Sequence, residues 1–120
     1  MLRVVEENSV DAVILHCVGR IVAGEADVLQ NAVVDHADKR VIILDLAGVE
    51  DVDAAGLGML VFLQTLGCAV GFDLQLMNAN HRLRELLELT GLESVLALFS
   101  DESEARSTNR GGSDDRRAAA

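Results

Sequence analysis

Val41-Ile42-Ile43-Leu44-Asp45-Leu46 is a nearly unbroken apolar run, rich in β-branched side chains. A run this short that does not alternate with polar residues reads as a strand covered on both faces. Such a strand belongs at the centre of a sheet, beside parallel neighbours and under helices. The rest of the chain must therefore supply crossovers as well as strands, and 120 residues suffice for one domain of that kind.

The flanking segments fit. Leu2 to Glu6 reads as a first strand and Ala12 to Val18 as a second, with Asn8-Ser9 as a turn between them. So short a connection makes the pair an antiparallel hairpin, and Gly19 is expected to stop the second strand. From Gly24 to His36 the period becomes helical, with Ala26, Leu29 and Val33 on one stripe and Ala32 beside it. After Val41–Leu46, residues 47–53 read as an acidic loop, followed by a helix ending near Gly67. Phe72 to Met77 is another strand. Asn78 or Asn80 caps a helix over His81–Thr90, with Leu83, Leu86, Leu87 and Thr90 on one face and Gly91 past its end. Val95–Phe99 is either an edge strand or a helix start. The expected fold is α/β: a mixed sheet of four to five strands, an N-terminal antiparallel hairpin, right-handed parallel crossovers and three to four helices. Residues 1–100 form the domain and 101–120 a polar tail, expected to be largely disordered because core-forming side chains nearly vanish there.

From Ala54 to Phe72 no residue is charged. That length suggests a membrane span. However, the window holds Gly56, Gly58, Gly67, Gly71, Gln64 and Thr65, and Asp53 and Asp73 flank it without a Lys or Arg anchor. A buried helix followed by a strand explains it better, so no membrane insertion is expected.

Charge and composition exclude further classes. Ten basic against twenty acidic residues give a formal charge of −10, which disfavours nucleic acid. Three Phe with no Trp or Tyr leave no base-stacking platform. Cys17 and Cys68 lie far apart in apolar stretches, so two free buried thiols in a reducing, cytoplasmic compartment are expected. His16, His36 and His81 never cluster in sequence, and structural or solvated roles are expected of them. No metal, cofactor or nucleotide turnover is expected. Gly56-x-Gly58 lacks the third glycine and the lysine of a phosphate loop, and Asp51 with Asp53 lacks a nucleophile. A receiver domain is a poor fit too, because Glu6-Glu7-Asn8 leads directly into a hairpin and the only lysine is Lys39.

The segment from Asp45 to Gly58 carries the signal: a central strand, an acidic stretch, then a helix whose first turns hold Gly56 and Gly58. Asp53 suits an N-cap, a role compatible with recognition of a basic partner. The pattern Asp45-x-x-Gly48, then Asp53 and Gly56-Leu57-Gly58, together with Gly19-Arg20-Ile21 and the Leu87…Gly91-Leu92 helix ending, resembles the STAS domain, the family of sulfate-transporter and anti-sigma-factor-antagonist domains. The resemblance spans roughly residues 2–100.

It implies an anti-sigma factor antagonist: a non-catalytic protein that binds an anti-sigma factor, often a serine kinase of the histidine-kinase ATPase type, and so frees the sigma factor. The implied contact residues are Gly19, Arg20, Asp51, Asp53, Ala54, Ala55, Gly56, Leu57 and Gly58. A weak homodimer is also contemplated. In switchable relatives the motif reads Asp-Ser-Ser-Gly and the Ser before Gly is phosphorylated. Here Ala54 and Ala55 stand at those places, and no Ser, Thr or Tyr lies between Ser9 and Thr65. The binding surface is expected to persist without that switch. A STAS accessory subunit of a membrane transport complex, or a signalling scaffold, is the alternative.

Overall fold

The computed structural model describes residues 1–92, 96, 98 and 99. The elements are β1 (Arg3–Asn8), β2 (Ala12–Ile21), α1 (Ala26–Val34), β3 (Val41–Val52), α2 (Ala54–Val70), β4 (Asp73–Met77), α3 (His81–Thr90) and β5 (Leu98–Phe99). They form one five-stranded sheet in chain order, antiparallel between β1 and β2 and parallel beyond. This is the expected mixed α/β arrangement. The turn before β2 is tied by Ser9, whose N–H and Oγ both donate to Ala12 O. The reading of residues 101–120 as a tail lies outside the described residues.

All three helices contribute to one core. Leu29 and Val33 of α1, Leu60 and Leu63 of α2, and Leu83 and Leu87 of α3 meet Val13, Leu15, Ile42, Leu44, Leu74 and Leu76 from the strands. Parallel crossovers are right-handed as a rule, and in keeping with it the helices share one face of the sheet. The other face holds a smaller cluster of Ala12, Ile14, Val41, Ile43 and Met77. Residues buried on both faces explain why Val41–Leu46 shows no alternation.

Several expectations need correction. Residues 47–53 are not a loop: β3 runs on to Val52 beside β2, which itself runs past Gly19 to Ile21. The pairing jumps between His16/Val18 and Gly19/Arg20, so β3 carries an extra residue at each place. These bulges reset which residues face the core. Leu46, Val49 and Val52 all point inward although each lies three positions after the last, an odd step that would alternate faces in a regular strand. Gly19 stays in the strand with φ +119, and glycine is required there because a Cβ would lie 2.3 Å from Met1 O. α2 passes through Gly67, which packs against Phe72, and ends at Gly71 in the left-handed conformation. Only Cys17 is buried; Cys68 is exposed on α2. Among the described residues no helix is long and apolar enough to cross a membrane.

Candidate functional site

In a parallel sheet the carboxyl ends of the strands and the amino ends of the following helices share one edge. Here that edge gathers the end of β2, the β3–α2 junction and the start of α3. Asp53 ties the first two. Its Oδ1 accepts the Gly56 N–H at 2.8 Å and caps α2, while Oδ2 accepts the Ala23 N–H at 3.1 Å. These bonds, the one from Ala23 foremost, hold its carboxyl below the usual range. Asn80 ties in the third segment. Its Oδ1 accepts the Leu83 N–H at 2.8 Å to cap α3, and its Nδ2 donates to Val49 O at 3.2 Å. Two residues on, Arg82 Nε meets Asp51 Oδ1 at 2.9 Å.

Gly56 makes this junction close. A Cβ there would lie 1.9 Å from Ile21 O and 2.9 Å from Val52 Cγ1. The backbone that comes near this glycine belongs to the chain itself, not to an approaching molecule. Leu57 is likewise in the core at 6% exposure, and Gly19 is buried under the N-terminal segment. Three of the nine expected contact residues are therefore packing residues. Arg20, Ala54, Ala55 and Gly58 are exposed, and Asp51 and Asp53 half-buried. These six surround one surface: the amino end of α2, with neither Ala54 nor Ala55 offering a hydroxyl. Exposed Glu50 adds to its acidity. Asn80 is expected from the sequence as a helix cap, but its tie to Val49, together with Glu50, Arg82 and the Ala23 amide, was missed by sequence reasoning. Arg82 could have been found as an arginine within one turn of that capping asparagine.

A second polar group lies on the opposite face of the sheet. His16 Nδ1 meets Asp45 Oδ2 at 2.6 Å and His16 Nε2 meets Glu7 Oε1 at 2.9 Å. Both ring nitrogens face acceptors, so the imidazolium is favoured. The bond to Glu7, then that to Asp45, raises the His16 pKa. Burial pushes the Asp45 carboxyl up, but the Asn78 amide, the Ala47 N–H and His16 outweigh it, and the net shift is downward. The group pins β1, β2, β3 and the end of β4 together. His36 joins Ala32 O and Glu6, and exposed His81 joins Glu85. Among the described residues no cluster of three or more His, Cys, Asp and Glu side chains is placed to hold a metal.

The chain resembles several solved structures. A Thermotoga maritima protein described provisionally as an anti-sigma factor antagonist is 25% identical, with TM-score 0.79 over 89% of this chain and 94% of that one. An anti-sigma factor antagonist from Mycobacterium paratuberculosis shares the fold at 21% identity, TM-score 0.78, over 92% of this chain and 95% of that one. A sulfate transporter family protein from Wolinella succinogenes is 25% identical, TM-score 0.71, over 81% and 83%. Among the curated proteins compared, none matches. The STAS domain matches residues 2–105, nearly the whole described chain, and the chain belongs to the STAS domain family.

Proposed function

We propose that this protein is a non-catalytic anti-sigma factor antagonist that binds its partner through the amino end of α2. The observation that carries the reading is the exposed Ala54-Ala55 pair beside capping Asp53, in a fold shared with proteins named as anti-sigma factor antagonists. The partner is an anti-sigma factor, in its best-known form a serine kinase of the histidine-kinase ATPase type. Phosphorylation of a Ser at position 55 would add roughly −1.5 to −2 charge there and change the field the partner meets. Ala55 removes that route, so binding is not switched at this loop.

The test is phosphoryl transfer. The purified kinase with ATP should leave the wild type unmodified at residues 53–58 and should phosphorylate Ala55→Ser. Failure to modify Ala55→Ser, with the kinase active on its own substrate, would count against a shared kinase docking mode. The likeness to the sulfate transporter family protein supports a second reading, an accessory subunit of a transport complex. In that case a membrane transport protein, not an anti-sigma factor, binds the same edge.

A further inference from the structure

Apart from Gln64 and Thr65, helix α2 is apolar around its circumference. Its inner face packs Leu57, Leu60, Leu63 and Gly67 on the sheet. Its outer stripe of Ala55, Gly58, Phe62, Thr65 and Ala69 follows helical spacing, and every member is exposed. No residue from 54 to 70 carries charge. The one hydroxyl of the stripe, Thr65 Oγ1, turns back to donate to Val61 O at 3.0 Å, and Phe62 is 47% exposed. The other helices differ in mixing charge into their outer faces: α1 shows Asp27 and Asn31 beside Val28 and Val34, and α3 shows Arg84, Glu85 and Glu88 beside Leu89. A helix apolar all round is normally a covered helix.

The rim says what kind of molecule covers it. Glu50, Asp51 and Asp53 lie at its amino end and Asp73 just past its carboxyl end. Exposed Arg20 at one end and exposed Arg40, beside Asp73, at the other are outnumbered, and Arg82 is already engaged by Asp51. A second copy of a chain of net charge −10 would set acidic rim against acidic rim. An anionic lipid surface would be repelled in the same way.

We infer that the outer face of α2 continues the contact begun at Ala55, with Phe62 as its anchor, and that its occupant is a protein presenting an apolar recess ringed by Lys and Arg. This rests on the proposed function, because Ala55 belongs to both surfaces. Phe62 lies seven residues beyond Ala55, about 10 Å along the axis, well within one standard interface.

The experiment titrates an ATPase-type anti-sigma factor from the same genome, purified, against the wild type, Phe62→Ala and Phe62→Lys. Phe62 is half-exposed, so both variants should melt near the wild type. Phe62→Lys should bind about thirtyfold or more weakly, as expected for a lost aromatic anchor. Wild-type association should slow as salt rises, and the chain alone should sediment as a monomer. Unchanged affinity of Phe62→Lys, or salt-independent association, overturns the inference while leaving the proposed function standing. A dimer that Phe62→Lys dissolves assigns the face to a second copy and overturns it. A collapse of melting temperature in both variants assigns Phe62 to the chain's own packing and also overturns it. No binding by the wild type overturns the proposed function and this inference with it.

Discussion

Alanine at Gly56 and alanine at Gly58 should have opposite effects, although the two positions lie in the same two turns of α2. At Gly58 a Cβ meets nothing within 4 Å. There the substitution only replaces the poorest ordinary helix former by the best, a gain of about 1 kcal/mol. At Gly56 the same Cβ would sit 1.9 Å from Ile21 O. That carbonyl cannot simply turn away, because it accepts the Asp53 N–H at 3.4 Å on the edge where β2 meets β3. The start of α2 must back off by roughly 1.5 Å to reach ordinary contact, which loosens both bonds of Asp53. Overpacking of this kind costs about 1–3 kcal/mol, and more where backbone is the obstacle. After the helix-propensity gain, a net loss of about 2 kcal/mol is expected. For a domain of about 100 residues that lowers the melting temperature by roughly 8–16 °C, while Gly58→Ala should raise it by roughly 4–8 °C. Thermal unfolding followed by circular dichroism reads both. If Gly56→Ala is neutral or stabilising, the close packing of α2 on the end of β2 is wrong.

Two further predictions concern side chains outside that contact. A thiol reagent in native buffer should modify exposed Cys68 and spare Cys17, because burial, helped by the charge of Asp45, pushes the Cys17 thiol up to about 12. Equal reactivity in the folded protein would contradict the placement of Cys17. The raised His16 pKa gives a pH signature of definite sign. Its stabilisation is full below the unfolded value near about 6.5 and fades as pH rises through the higher folded value. His16→Gln should therefore lose more melting temperature at about pH 5.5 than at about pH 9, and a gap that grows with pH would refute the ion-paired arrangement.

The parts of this fold that sequence makes plain are those with one clean period. α1 shows its Ala26, Leu29, Val33 stripe and α3 its Asn80 and Gly91 caps, and both lie where the pattern places them. The end of β3 was opaque for a physical reason. Two bulges against β2 interrupt the alternation, so Glu50 and Asp51 look like a loop although Val49 and Val52 are core. At α2 the first glycine at a plausible distance, Gly67, was mistaken for the stop. Buried against Phe72, it serves packing, and Gly71 supplies the left-handed turn. At the site, the Asp53 cap was legible because it is local. The Arg82–Asp51 and Asn80–Val49 ties were not, since they join segments about thirty residues apart whose meeting depends on the crossovers. Gly56 and Leu57 carry a family motif but serve the core, which composition and spacing alone do not reveal.

The central claim, that the amino end of α2 is the partner surface, is tested most directly by Ala55→Glu in a calorimetric titration with the purified anti-sigma factor. Ala55 is exposed, and a carboxylate near a helix amino end is tolerated by the helix dipole, so the variant should fold and melt like the wild type. In the complex the longer, charged side chain would be forced into a contact shaped for a methyl group, against a partner whose basic groups are matched to Glu50, Asp51 and Asp53 rather than to position 55, and affinity should fall about a hundredfold or more. A folded Ala55→Glu variant that binds as tightly as the wild type would contradict the claim and move the interface elsewhere on the domain.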